Sequence, residues 1–136
     1  MRVVVETPRW SFTKYRSVVG GFEPDLVSPL PALFNYGFIE GTSAADGMPE
    51  DAIVLGGRLR QGSRMDVKRL GVVRFIDDGV ADDKAITSAG GRVTLVDKAM
   101  IHLFFAMYMV FKSVHYLLKE RRLARCRYNG FNLSQP

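Results

Sequence analysis

The stretch Val96 to Arg122, VDKAMIHLFFAMYMVFKSVHYLLKERR, contains no proline or glycine and is built mostly of good helix formers. It predicts one long helix, with Asp97 suited to its N-terminal turn. The chain before it has another character. Arg2–Thr7 (RVVVET), Thr13–Val19 (TKYRSVV), Phe34–Glu40 (FNYGFIE), Ala52–Leu55 (AIVL) and Val67–Ile76 (VKRLGVVRFI) have strand composition, and Ala85–Thr87 predicts a further short strand. Gly20 to Pro31, with adjacent glycines and three prolines, reads as loop with room for a short edge strand. Many short strands followed by one long helix predict a mainly β (α+β) fold, a barrel or curled sheet with the helix packed on it. No repeat, low-complexity tract or linker divides the chain, so residues 1–136 read as a single domain.

Within the helix, Ala99 to Leu118 is about long enough to cross a bilayer. It carries His102, Lys112 and His115, and no other spanning element precedes it, so it reads as a helix covering an apolar sheet face and not as a membrane span. The opening Met1–Glu6 has too short an apolar run for a leader and is closed by Glu6 and Pro8; it reads as a strand. A single cysteine, Cys126, cannot form an internal disulfide and points to a reducing compartment.

A hydrophobic content of 47% with 24% charged residues excludes a disordered chain. The net charge of +5 is unevenly spread. Cations crowd Lys119 to Arg127, which reads as a solvated helix end whose charges suit the helix dipole. Nucleic-acid binding through that tail is set aside, because the strand aromatics are accounted for by a core and a pocket.

The carboxylates gather mid-chain, in Asp46-Gly47-Met48-Pro49-Glu50-Asp51 and in Asp77-Asp78-Gly79-Val80-Ala81-Asp82-Asp83-Lys84. Each loop follows a strand, holds a turn glycine and sets two aspartates five positions apart. Clustered carboxylates repel unless a cation neutralises them. Magnesium suits such a set, being hard, oxygen-seeking and ready to exchange its waters for phosphate oxygens. Neither loop has EF-hand spacing, and with two histidines and one cysteine a zinc site is not expected. Acidic turns are most often simply solvated, so each loop alone says little.

The order of motifs resembles the family I soluble inorganic pyrophosphatases. Val4-Val5-Glu6-Thr7-Pro8 resembles that family's first strand, Thr13-Lys14-Tyr15 its Lys-Tyr-Glu element, and Asn35-Tyr36-Gly37-Phe38-Ile39 its Asn-Tyr-Gly-Phe/Tyr-Ile. Asp46 to Asp51 resembles the signature Asp-Gly-Asp-Pro-x-Asp, Gly71 to Lys84 the second acidic loop, and Phe104-Phe105-Ala106-Met107-Tyr108 the helix motif Phe-Phe-x-x-Tyr. The resemblance implies an OB-like five-stranded closed β-barrel with the long C-terminal helix packed on it. It further implies a cytoplasmic, magnesium-dependent (Mg2+) homo-oligomer acting on pyrophosphate, with neither nucleic acid nor membrane as partner. By position, Asp46, Asp51, Asp77 and Asp82 would be metal ligands with Glu6 nearby, and Lys14, Tyr36, Lys84 and Tyr108 would contact phosphate. Asp46, Asp77, Lys84 and Tyr36 would carry the catalytic step. For Tyr36 and Tyr108, packing in the core stands as an alternative.

Four positions depart from the pattern. Met48 replaces the signature's middle Asp, and a thioether is neither a magnesium ligand nor a base. Arg16 replaces an acid, Pro24 falls where a phosphate-binding Arg is expected, and Met109 follows Tyr108 where a Lys is expected. These changes predict weakened or altered pyrophosphate hydrolysis. The alternative is a repurposed barrel that binds or acts on an organic phosphate or diphosphate whose apolar part meets Met48, Met109 and Phe34, or a non-catalytic interaction subunit.

Overall fold

A computed structural model describes residues 1–44 and 46–134. In chain order its elements are β1 (Arg2–Thr7), β2 (Thr13–Val18), β3 (Gly21–Val27), β4 (Asn35–Ile39), β5 (Asp51–Val54), β6 (Arg64–Asp66), β7 (Lys68–Asp77), β8 (Val80–Ala81), β9 (Lys84–Ser88), α1 (Leu95–Glu120) and β10 (Arg127–Leu133). The main sheet runs β10-β7-β9-β5-β4-β1-β6, with β8 paired to β7 and β2–β3 forming a separate hairpin. Only Val67 separates β6 from β7, so one stretch of chain pairs β1 with its first residues and β9 with the rest. That continuity closes the sheet on five strands: β1, β4, β5, β9 and the joined β6–β7. The β-rich fold with its helix agrees with the expectation.

Strand side chains alternate between faces, and here both faces are buried. On one, Tyr36, Ile53, Val73, Phe75 and Ile86 meet Ile101, Phe104, Phe105 and Tyr108 of α1. On the other, Val3, Ile39, Ala52, Val54, Val67 and Ala85 pack together. Two-sided burial explains why β5 reads as an unbroken apolar run instead of an alternating one. Each large side chain buried in these clusters contributes about 1.5–3 kcal/mol. The helix begins with a capping box, in which the Thr94 hydroxyl accepts from Asp97 N and the Asp97 carboxylate accepts from Thr94 N. Its outer face leaves Leu103, Met107, Val110 and Val114 exposed.

Two elements differ from expectation. The Gly20–Pro31 segment contains a full strand, β3, because a two-stranded hairpin leaves each strand an open edge and a register shift between Lys14 and Tyr15 accommodates Pro24. The basic end of the chain is exposed, as expected of a solvated helix end, but the helix stops at Glu120 and a strand follows it. Arg121 closes α1 in the left-handed conformation, Arg122 pairs with Asp78 and Glu120, and β10 returns to lie along β7.

Gly37 of β4 lies against the β1 backbone, and a Cβ there would lie 1.9 Å from the Val4 carbonyl oxygen. Gly37→Ala should therefore lower stability by about 2 kcal/mol or more, read as a reduced urea midpoint with an unchanged slope. A midpoint equal to that of the parent would contradict this packing.

Candidate functional site

Strand register assembles the polar residues at one end of the helix-covered face. Pairing of β4 with β5 sets Tyr36 opposite Ile53 and Phe38 opposite Asp51. The parallel pairing of β5 with β9 joins Ala52 to Ala85, which brings Asp51 beside Lys84. In the second loop, Asp78 and Gly79 both have positive φ (52° and 81°), and Asp77 pairs with Val80. This is the Asp-Gly geometry of a type I′ turn, which folds β8 tightly back on β7. Asp82 N then donates to the Phe75 carbonyl at 2.9 Å, while Asp83 accepts from Phe75 N and from Arg74. Asp82 is thus left facing Lys84.

Lys84 is the centre of the arrangement. Its side chain is 2% exposed, and its Nζ lies 3.0 Å from Asp51 Oδ2 and 2.7 Å from Asp82 Oδ1. Burial opposes the Asp82 charge, but Lys84 and then Lys14 outweigh it and hold the carboxyl below its ordinary range. Lys14, from β2, donates to the Tyr108 hydroxyl at 3.4 Å and lies 5.7 Å from the ring centroids of both Tyr36 and Tyr108. Tyr108 chiefly, followed by Asp51 and Asp82, outweighs burial and raises the Lys14 ammonium well above its usual pKa. Burial, reinforced by Tyr108, Asp51 and Asp82, raises the Tyr36 phenol as well, so it stays protonated and able to donate. Both tyrosines nonetheless pack their rings in the core, so the two readings of them coexist.

A depression of ≈ 450 Å³ opens beside this cluster and is lined by Glu6, Lys14, Arg16, Asp46, Met48 and Asp51, among others. At its lip the Glu6 carboxylate accepts from Ser17 N and Oγ at 2.7 and 2.8 Å. Asp46 Oδ1 accepts from Met48 N at 3.0 Å, and the Met48 side chain is exposed. Arg16 is bonded to Glu23, and Pro24 is exposed on the hairpin. Asp77 points elsewhere: Lys112 Nζ lies 3.1 Å from its Oδ2, and the Tyr116 hydroxyl donates to its Oδ1 at 3.0 Å. Met109 packs against the core, where its sulfur accepts from Tyr128 N.

Of the five residues expected around a metal, Asp51 and Asp82 lie within reach of one cation, Asp46 and Glu6 lie on the depression, and Asp77 is turned toward the helix. Among the described residues no three histidine, cysteine or carboxylate side chains converge on one point. Glu6, Asp46 and Asp77 each have protein partners of their own, and Asp51 and Asp82 share Lys84. Asp51 and Asp82 do fit magnesium, which is commonly held by one or two carboxylates with water and substrate oxygens filling the rest. A small apolar cavity of ≈ 30 Å³ adjoins Lys14, Tyr36 and Tyr108, between Phe12, Leu26 and Phe104. It has room for about one water. With Phe34 buried edge-on against Phe104 and Met109 in the core, an organic group loses two of the three contacts expected for it. Sequence reading passed over Lys112 as a site residue. Its spacing of four from Tyr108, which puts both on one helix face, is the signal that could have found it.

A family model described as inorganic pyrophosphatase matches residues 3–116. The chain is 37% identical over 93 residues to an inorganic pyrophosphatase of Haemophilus influenzae, covering 63% of this chain and 52% of the relative. It is 34% identical over 91 residues to one of Sulfolobus acidocaldarius, covering 63% and 53%. It therefore spans about half the length of the curated relatives it matches. Among solved structures, the inorganic pyrophosphatase of Thermus thermophilus superposes with a TM-score of 0.81 at 23% identity, over 98% of this chain and 82% of that one. That of Coxiella burnetii gives a TM-score of 0.74 at 23% identity, over 98% and 85%. With a family match that extends over most of its length, the chain belongs to the inorganic pyrophosphatase family.

Proposed function

We propose that this chain hydrolyses inorganic pyrophosphate to two phosphates with a divalent cation, magnesium by the hardness of its donors. The observation that carries this reading is the buried Lys84 ammonium between Asp51 and Asp82, with Lys14, Tyr36 and Tyr108 beside it. Carboxylates for a cation, ammonium groups and phenols for phosphate oxygens are the groups that cleaving a P–O–P bond requires. The curated relatives named above carry the name inorganic pyrophosphatase.

In this reading Asp51 and Asp82 hold the cation, which would neutralise diphosphate charge and make a bound water more acidic. Lys14, Lys84, Tyr36 and Tyr108 donate to the phosphate oxygens where charge develops as the bridging bond breaks. The attacking water must lose a proton. Asp77 is tied to Lys112 and Tyr116, and the Met48 thioether cannot accept one, which leaves Asp46 at the lip of the depression as the acceptor. Glu6 adds negative charge on the same side. Loss of a positioned base typically reduces rate by about 10²–10⁴, so we read the activity as reduced by Met48. We also read the chain as a cytoplasmic protein that assembles from identical copies, with no nucleic acid or membrane as partner.

Phosphate release from pyrophosphate should require magnesium. It should fall by about 10² or more in Asp51→Ala and Asp82→Ala, and rise in Met48→Asp. Flat release from pyrophosphate and from a panel of organic diphosphates would overturn both enzymatic readings. Acid behaviour follows from the lowered Asp82 carboxyl. A group with a depressed folded pKa contributes stability that is present above its unfolded value and lost as pH falls through the folded one. The melting-temperature gap between the parent and Asp82→Asn should therefore be widest near neutrality and shrink below about pH 4. A gap constant from pH 7 to pH 3 would refute this assignment.

A further inference from the structure

We propose that Lys112 is a phosphate-binding cation of this site, held for that task by Asp77; the proposal rests on the hydrolase reading above. The helix offers no cation at position 109, where Met109 is packed into the core. One turn beyond Tyr108, however, Lys112 rises on the same face, because residues four apart on a helix are neighbours. Its Nζ lies 5.9 Å from the Tyr108 ring centroid and 5.4 Å from that of Tyr116. Lys14 Nζ lies 5.7 Å from the same Tyr108 ring. Two ammonium groups from separate elements, strand β2 and helix α1, therefore converge on one phenol whose hydroxyl already contacts Lys14.

Two like charges gathered in a largely buried place repel, and such an arrangement is stable where an anion lies between or beside them. Asp77 partly fills that role for Lys112, at 3.1 Å, and the Tyr116 hydroxyl in turn holds Asp77 at 3.0 Å. Asp77 thereby acts as a positioning residue: it fixes the lysine stem against Tyr108 and Tyr116 while leaving two of the ammonium's three donors for a ligand. A doubly charged phosphate oxygen group competes well for such donors, since hydrogen bonds between charged groups are the stronger kind.

The test uses the full chain and reads turnover and binding separately. Lys112→Ala, Lys112→Gln, Lys112→Arg and Asp77→Asn are assayed for phosphate release with magnesium, and for binding of inorganic phosphate and of pyrophosphate by calorimetry. Lys112→Ala and Lys112→Gln should raise KM and weaken phosphate binding about tenfold, the loss of one hydrogen bond to a charged group. Lys112→Arg should recover most of that loss, and Asp77→Asn, which removes the anion that positions the ammonium, should raise KM in the same direction by about threefold. A wild-type chain that binds phosphate but turns over no diphosphate overturns the hydrolase reading alone, and the binding arm still decides the role of Lys112. Equal phosphate binding in wild type and Lys112→Gln, with both Lys112→Gln and Asp77→Asn melting lower, overturns the proposal and makes the pair a structural one. Failure of the wild type to bind phosphate or pyrophosphate overturns it as well.

Discussion

A lysine side chain removed from water between two carboxylates is the constraint around which the polar end of this barrel is organised. Taking one ammonium out of water costs several kcal/mol, and Lys84 is offset by Asp51 at 3.0 Å and Asp82 at 2.7 Å. Removing one member of such a group leaves uncompensated charge and costs about 3–5 kcal/mol. Burial opposes the charge of Asp82, and Lys84 with Lys14 outweighs it and keeps that carboxyl ionised. Strand pairing makes this possible without strain: β5 lies parallel to β9, and the tight Asp78-Gly79 turn sets Asp82 opposite Phe75.

The neighbouring groups take their properties from that cluster. Tyr36 is protonated because its phenol is buried beside two negative charges, and Lys14 is held charged by Tyr108 and the same two aspartates. The result is a place where carboxylate oxygens, two ammonium groups and two phenols lie together at one end of the barrel. Aromatic packing supports it from beneath. Phe75, Phe104 and Phe105 surround Tyr108 with centroid distances of 5.5, 5.8 and 6.4 Å, so the hydroxyl is presented from a ring that cannot swing away.

The departures from the family pattern resolve differently once side chains have positions. Met48 stands exposed on the depression. Met109 does not reach the pocket at all and instead fills the gap beneath β10. Arg16, on the depression, is paired with Glu23 across its own hairpin.

Much was legible in the residues alone. The apolar runs of β1, β5 and β7 and the uninterrupted helix with Asp97 in its first turn are local periodicities that predict the sheet and the helix. The resemblance carried by the motif order from Glu6 to Tyr108 implies a site of Glu6, Lys14, Tyr36, Asp46, Asp51, Asp77, Asp82, Lys84 and Tyr108. Tertiary structure decided what depends on distant partners. RYNGFNL becomes β10 because β7 has an open edge to receive it. Asp77, identical in kind to Asp82 and five positions from it, goes to Lys112 and Tyr116 because the turn between them offsets the two along the hairpin. Which carboxylate meets which cation is a matter of three-dimensional neighbours, and one-dimensional spacing does not contain it.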